Sequence, residues 1–461
     1  MLPFLSRRLV WPVHERLVGR ATLRYVAELE WSQYASPVEL DDLRRQKLQA
    51  LLVHASRHTA FYRDRISDAG VDLRDDNPFD ALRALPLLSK DEIRAHLTDM
   101  LWHDAPGGLF RHSTGGSTGE PLTFYFDRRR QGYDQADRIR THRWFGVDHG
   151  DRELFLWGSP IEWSRTDRVK RFRDALFNHR LLSAFEMSPT RMDAYLDEIE
   201  SYRPACLFGY PSSIALLVRH ALRRGRAVRL PLLRAVFVTG EVCHPPDRDA
   251  IVDYFGVPVA DGYGSREAGF IAHECPEGSM HVMAENVIVE VLRHGKPVPA
   301  GEAGELVITH LDAYAMPLIR YRTGDVGSLK PGRCVCGRGL ERMDVVNGRA
   351  TDFIHLPDGT TKHALAVIYP LREMPGIKQF RIHQRSDYSV RVRVVPEPGG
   401  AAPAKSEITR AMATALGHDV AIEVEFVSDS PVTSSGKFRY VTSDAGPRVD
   451  DARSEAASCV V

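Results

Sequence analysis

The sequence predicts a large α/β domain with mixed sheets and helices, followed by a small α+β domain, on three observations. The chain has 461 residues, too many for one ordinary core. Between Arg138 and Val259 helical stretches alternate with short apolar strands, the pattern of a largely parallel sheet. From Val287 strands and turns take over, and beyond Gly348 a mixed segment of roughly 100 residues is long enough for a core of its own.

The elements follow in order. Met1 to Glu30 sets apolar residues among Arg7, Arg8, Arg16, Arg20 and Arg24, compatible with a basic amphipathic helix on a membrane surface. Pro3 and Pro12 interrupt that pattern, so a helical arm packed on its own domain is preferred. Ser36-Pro-Val-Glu39 opens a helix that runs on through Leu43, Leu48, Leu51, Leu52 and His54. Ser89 followed by Lys90-Asp-Glu-Ile-Arg94 is a second capped helix start.

Next comes His112-Ser-Thr-Gly-Gly-Ser-Thr-Gly-Glu-Pro121. Its glycines allow close backbone approach, and Ser113, Thr114, Ser117 and Thr118 supply donors, as a phosphate loop requires. The Walker spacing is absent, and a solvated Ser/Gly turn is the competing reading. Leu122 to Phe126, β-branched and aromatic, reads as a strand.

Helices at Arg138–Phe145, Met192–Ile199, Ser213–Arg223 and Pro246–Tyr254 then alternate with strands at Glu153–Trp157, Ala205–Phe208, Leu233–Val238 and Val257–Val259. Loops after these strands are candidate site walls, because ligands bind at the carboxyl ends of parallel strands. They are Gly209 to Ser213, Thr239-Gly-Glu241 and Asp261-Gly-Tyr-Gly-Ser-Arg-Glu267. Tyr210 and Phe208 read as core aromatics, with an acyl pocket as the alternative. Strands at Val287–Leu292 and Gly304–Thr309 precede Arg320-Tyr-Arg-Thr-Gly-Asp325. The small domain reads as strands near Gln379–His383, Tyr388–Val395 and Ala421–Phe426 with a helix near Ser406–Leu416, and a polar tail after about Asp444.

Lys plus Arg and Asp plus Glu both number 61, so no global field gathers nucleic acid. Six cysteines are too sparse for a disulfide scaffold, and the chain opens without the pattern of a secretory signal; a reducing, cytoplasmic setting is expected. No apolar run reaches membrane-spanning length, so no membrane insertion is expected. Cys275 with His281, and Cys334 with Cys336, are two donor pairs that together would close a tetrahedral structural zinc site. His273 competes as a ligand, and unliganded thiols near a turn are the alternative.

Taken together, the 112–121 loop, Tyr263-Gly-Ser-Arg-Glu267, Tyr321-Arg-Thr-Gly-Asp325, Gly348-Arg349 with Asp352, and Ser435-Gly-Lys437 resemble the adenylate-forming superfamily. Within it the chain is similar to the phenylacetate-CoA ligase branch and its CapK-like members, as Ala272 to His281 also suggests. The resemblance implies ATP-dependent activation of a small carboxylic acid, an aromatic acid among the candidates, to an acyl-adenylate with release of pyrophosphate. Coenzyme A is the implied acceptor. A transfer of AMP to a hydroxyl and a silent zinc-stapled binding protein are the alternatives.

Each residue role is likewise implied by that resemblance. Ser113, Thr114, Gly115, Gly116, Ser117 and Gly119 would hold the β- and γ-phosphates, and Thr118 and Glu267 would place Mg²⁺. Gly240, Glu241, Asp261, Gly262, Tyr263, Gly264 and Ser265 would border the adenine and the substrate carboxylate. Asp325 would take the ribose hydroxyls with Arg349 nearby, and Lys437 would reach the carboxylate and the α-phosphate. The implied organisation is a helical arm and start of the large domain over 1–110, the ATP- and substrate-binding part over 111–346, a lid over 347–444 and a tail over 445–461. A homodimer stays open. Asp352 to Thr361 departs from the glycine-containing loop that many relatives carry there.

Overall fold

The computed structural model describes residues 2–74, 77–113, 122–157, 173–184, 189–349, 353–357, 361–363, 367, 370–371, 374–397, 402–417, 419–428 and 441–445. The chain falls into two compact units, the larger holding Met1–Thr323 and Gly327–Val346, the smaller holding Gly324–Val326, Asn347–Thr433 and the described residues 441–445.

In the larger unit the chain starts with helical backbone through Pro3–Leu5, Ser6–Val10 and Trp11–Val18, the middle piece wound as a π-helix. The arm is helical, as the sequence suggested, and Pro12 stands in the first turn of Trp11–Val18. A π-helical turn precedes it, and a proline in the first turn of a helix removes no intrahelical hydrogen bond, so the helix runs on. Two capped helices are as the sequence predicts: Ser36 and Glu39 close a reciprocal box at the head of Pro37–His58, and Ser89 and Glu92 another at Lys90–Ala95.

Strands β1 (Phe110–Ser113) and β2 (Thr123–Phe126) pair antiparallel on either side of the Ser/Gly loop. The main sheet comprises β3 (Glu153–Trp157), β4 (His179–Ser183), β5 (Cys206–Gly209), β6 (Ala235–Thr239), β7 (Val259–Ser265), β8 (Gly269–Glu274) and β9 (Met280–Val282). It continues with β10 (Val287–Arg293), β11 (Lys296–Pro297), β12 (Gly304–His310), β13 (Tyr321–Lys330) and β14 (Arg342–Arg349). Their order is β11-β10-β12-β13-β14-β9-β8-β7-β6-β5-β3-β4. The run β4-β3-β5-β6-β7 is parallel, and direction reverses at β7–β8. Burial on both faces explains why β6 reads Ala-Val-Phe-Val without alternation. Helix Pro211–Arg223 covers the parallel block with Ile214, Leu217, Val218 and Ala221.

One sequence reading needs correcting here. Asp261 to Ser265 is not a loop after a strand at Val257–Val259 but the body of β7. Turn-like composition was outweighed by pairing on both sides, and glycine is what makes that pairing fit: a Cβ on Gly264 would lie 2.5 Å from the Gly269 carbonyl oxygen. Tyr321 to Asp325 is likewise strand.

The smaller unit contains β17 (Ile377–Gln384), β18 (Val390–Pro396), β19 (Ile422–Phe426) and β20 (Val441–Ser443) in the order β19-β18-β17-β20, after a short pair β15 (Phe353–His355) and β16 (Thr361–His363). Helix Lys405–Leu416 packs Ile408, Met412 and Leu416 into the core of that sheet.

Candidate active site and four-donor cluster

The parallel strands deliver side chains to one end of the sheet. Trp157 ends β3 and stacks on Tyr210, which follows β5, with ring centroids 4.0 Å apart. Gly240, directly after β6, lies against this pair; its φ is +81°, and a Cβ there would sit 3.2 Å from Tyr210 Cε1. Glu241 accepts a 2.5 Å hydrogen bond from Ser212 Oγ. Thr239 Oγ1 donates to the Gly262 carbonyl at 2.6 Å, tying β6 to β7.

On β7 the Asp261 N–H donates to Glu274 Oε2 at 2.7 Å, and Arg248 pairs with the same oxygen at 2.8 Å. Burial pushes the Asp261 carboxyl up to about 8, the Glu274 carboxylate adding to the rise and Arg248 opposing it. Tyr263 packs at the edge of the main core, and Ser265 Oγ accepts the Ala268 N–H at 2.9 Å, closing the turn before β8.

Glu267 sits in that turn and is buried. Its Oε1 accepts a 2.8 Å hydrogen bond from the hydroxyl of Tyr321, itself fully buried at the head of β13. Arg320, with φ +53°, sets that head: its guanidinium grips Glu290 at 2.9 and 3.1 Å and the Leu85 carbonyl at 2.7 Å. Arg130 is buried near enough to Glu267 to feel its charge. Burial pulls this guanidinium below its ordinary range, opposed by Asp134, Asp127 and Glu267, and it donates to the Arg266 carbonyl at 3.2 Å. Arg266 in turn donates to the Ser113 carbonyl at 3.5 Å, so the start of the Ser/Gly loop lies beside the Glu267 turn.

Thus the structure brings together Gly240, Glu241, Gly262, Tyr263, Gly264, Ser265 and Glu267 along β6, β7 and the turn after it, with Ser113 alongside. Asp325 lies within β13, and Arg349 ends β14. Thr114, Gly115, Gly116, Ser117, Thr118, Gly119 and Lys437 lie outside the described residues, as do Asp352 and residues 446–461. Trp157, Arg130 and Arg320 were not singled out from sequence. Arg130 sits in a run of three arginines that reads as a solvated basic helix start, and only its tertiary burial separates it.

A second cluster stands at β8, β9 and the loop before β14. One ligand atom from each of Cys275, His281, Cys334 and Cys336 falls within 4.8 Å of all the others. Cys275 Sγ and Cys334 Sγ are 3.8 Å apart, and Cys336 Sγ is 3.3 Å from His281 Nε2. His281 Nδ1 lies 3.2 Å from the Leu340 carbonyl, and as its donor leaves Nε2 free to face the thiols. Burial pulls this imidazole down to about 4, so it is neutral near pH 7. His273 turns elsewhere: its Nδ1 lies 2.8 Å from the Glu274 carbonyl and its ring lies over Gly262.

The fold is an adenylate-forming architecture with a C-terminal domain. Residues 181–312 match the family of AMP-binding enzymes and residues 356–444 match the CapK C-terminal domain. It is 26% identical over 345 residues to a phenylacetate-coenzyme A ligase of Thermus thermophilus, covering 68% of this chain and 73% of that one. It is 22% identical over 433 residues to protein CapK of Staphylococcus aureus, covering 91% and 92%. Among solved structures, 2-hydroxyisobutyryl-CoA ligase in the postadenylation state superposes with a TM-score of 0.70 at 20% identity, over 90% of this chain and 91% of that one. No helix among the described residues is long and apolar enough to cross a membrane.

Proposed function

We propose that the chain activates a carboxylic acid with ATP, releasing pyrophosphate, and transfers the acyl group to coenzyme A in a cytoplasmic setting. The observation that carries this reading is Glu267, a buried carboxylate fixed by Tyr321 in the turn beside Ser113, where a hydroxyl- and glycine-rich loop begins. Phosphoryl transfer asks mainly for positioning and charge stabilisation. Glu267 is a hard ligand suited to Mg²⁺, which when bound would neutralise phosphate charge, and Thr118 would join it. Ser113 to Gly119 would hold the outer phosphates. Gly240, Glu241 and Asp261 to Ser265 would line the adenine and carboxylate side, and Asp325 with Arg349 would take the ribose. Lys437 would stabilise the charge that develops as carboxylate and α-phosphate meet. The phenylacetate-coenzyme A ligases among the relatives support an aromatic acid as substrate.

We infer also that Cys275, His281, Cys334 and Cys336 hold a structural zinc ion. Zn–S bonds of about 2.3 Å at the tetrahedral angle give an S···S edge of about 3.8 Å, which the Cys275–Cys334 separation of 3.8 Å fits. The ion would fasten the loop before β14 to the β8–β9 hairpin.

The test of the reaction is exchange of labelled pyrophosphate into ATP across a panel of carboxylic acids, followed by mass spectrometry with coenzyme A added. Acid-dependent exchange and a thioester product are expected. Exchange that needs a hydroxyl compound and no acid would overturn acyl activation in favour of AMP transfer to a hydroxyl.

A further inference from the structure

One face of the first helix is anchored and the opposite face is bare. Ser6, Trp11 and Glu15 are buried: Ser6 Oγ donates to the Leu176 carbonyl at 3.0 Å, and Trp11 packs edge-on against Phe177 and His149. Gly150 lets the helix backbone come close, since a Cβ there would lie 2.9 Å from the Arg7 nitrogen. This docking fixes the helix orientation. It turns Leu5, Leu9, Val13 and Leu17, spaced by four residues, outward at 44%, 60%, 49% and 80% exposure, with Phe4 at 62%. Large apolar side chains aligned in this way are not the scattered exposure of an ordinary surface.

Charge identifies what the face suits. Residues 2–26 contain five arginines and one acid, Glu15, which is buried and paired with Arg20 at 2.6 Å. Arg7 is engaged by Asp148 and Asp151, and Arg24 by Glu28. Arg8 and Arg16 stand exposed among the leucines, the Arg8 guanidinium over the Phe4 ring. The bare face is therefore apolar and cationic, with no acid on it. A second copy of the same helix would set arginine against arginine, and so narrow a strip falls short of the roughly 20–30 residues a side of a stable protein interface. An anionic lipid surface satisfies both features: acyl boundary for the leucines, phosphate headgroups for Arg8 and Arg16.

We propose that this helix docks the protein on the surface of a membrane containing anionic lipid, lying in the headgroup layer without spanning it. The inference does not rest on the proposed reaction.

The test is co-sedimentation of the full chain with vesicles of phosphatidylcholine containing about a third phosphatidylglycerol, against vesicles of phosphatidylcholine alone. Binding to the anionic vesicles is expected, weakened when salt rises from about 0.1 to about 0.5 M. Leu9→Glu with Val13→Glu should reduce bound protein at least about tenfold while the melting temperature holds. Arg8→Glu with Arg16→Glu, which leaves every apolar contact in place, should do the same on anionic vesicles and serves if the first pair disturbs folding. Wild-type protein that stays in the supernatant, or that binds both vesicle types equally, overturns the proposal. A wild-type dimer that the Leu9/Val13 pair splits in the absence of lipid also overturns it, in favour of self-association.

Discussion

Glu267→Gln separates the two things that Glu267 does. The side chain is buried and its Oε1 receives the Tyr321 hydroxyl at 2.8 Å, with the Arg130 guanidinium close enough to feel its charge. Glutamine keeps the volume and a carbonyl oxygen for Tyr321, so the hydrogen bond persists as a neutral one, at a stability loss of about 1 kcal/mol. The anionic oxygen is lost outright. If Glu267 holds Mg²⁺, pyrophosphate exchange at limiting Mg²⁺ should fall at least about tenfold and recover in part as the ion is raised. Tyr321→Phe is the counterpart: it leaves an ionised carboxylate buried without its donor, which should lower stability by about 1.5–3 kcal/mol while keeping the anionic oxygen. The assays are urea unfolding and exchange across an Mg²⁺ titration. A Glu267→Gln enzyme with unchanged exchange at limiting Mg²⁺ would refute the assignment. So would one whose exchange falls only in step with its folded fraction.

Three further outcomes are expected. Purified protein should contain about one zinc per chain and lose urea resistance on chelation; metal-free protein with an unchanged transition would remove the zinc site. Gly264→Ala should lower stability by about 3 kcal/mol, because its methyl would lie 2.5 Å from the Gly269 carbonyl oxygen, a backbone atom that moves only if β7 and β8 part; a loss below about 0.5 kcal/mol would contradict that contact. Asp261 governs a pH response. Its folded value of about 8 lies above an unfolded value of about 4, so folding retains a proton and stability falls as pH rises between them. Asp261→Asn should erase this slope and be the more stable form near pH 8, and parallel urea midpoints for the two proteins across that window would contradict it.

What could be read from the sequence was local, and what could not was mostly long-range. The boxes Ser36–Glu39 and Ser89–Glu92 span four residues each, and their chemistry is complete within that span. The α/β class followed from the alternation between Glu153 and Val259, and the candidate ends of β5 and β6 were visible because glycines and hydroxyls follow apolar runs. Asp261 to Ser265 was misread because two glycines among polar residues look like a turn, whereas here they are what lets β7 sit between two neighbours. The support of Glu267 could not be read at all. Tyr321 is 54 residues away, and Arg130 reaches the carbonyl of a residue 136 positions on.

The two histidines on β8 and β9 show how a single strand position decides chemistry. His273 and His281 are direct partners across the antiparallel pair, both buried, and burial pulls both down to about 4, so neither composition nor titration tells them apart. Their outer neighbours do. His281 is also paired with Arg342 at the start of β14, close to the loop that carries Cys334 and Cys336, so its Nε2 meets thiols. His273 is paired with Gly262 on β7, where only a hydrogen opposes its ring, so it packs against the wall of the candidate site instead. The same two-residue ladder rung therefore joins the four-donor cluster to the strand that precedes Glu267. A metal that fastens β9 and the loop before β14 would hold β8 in register, and with it the turn in which Glu267 meets Tyr321.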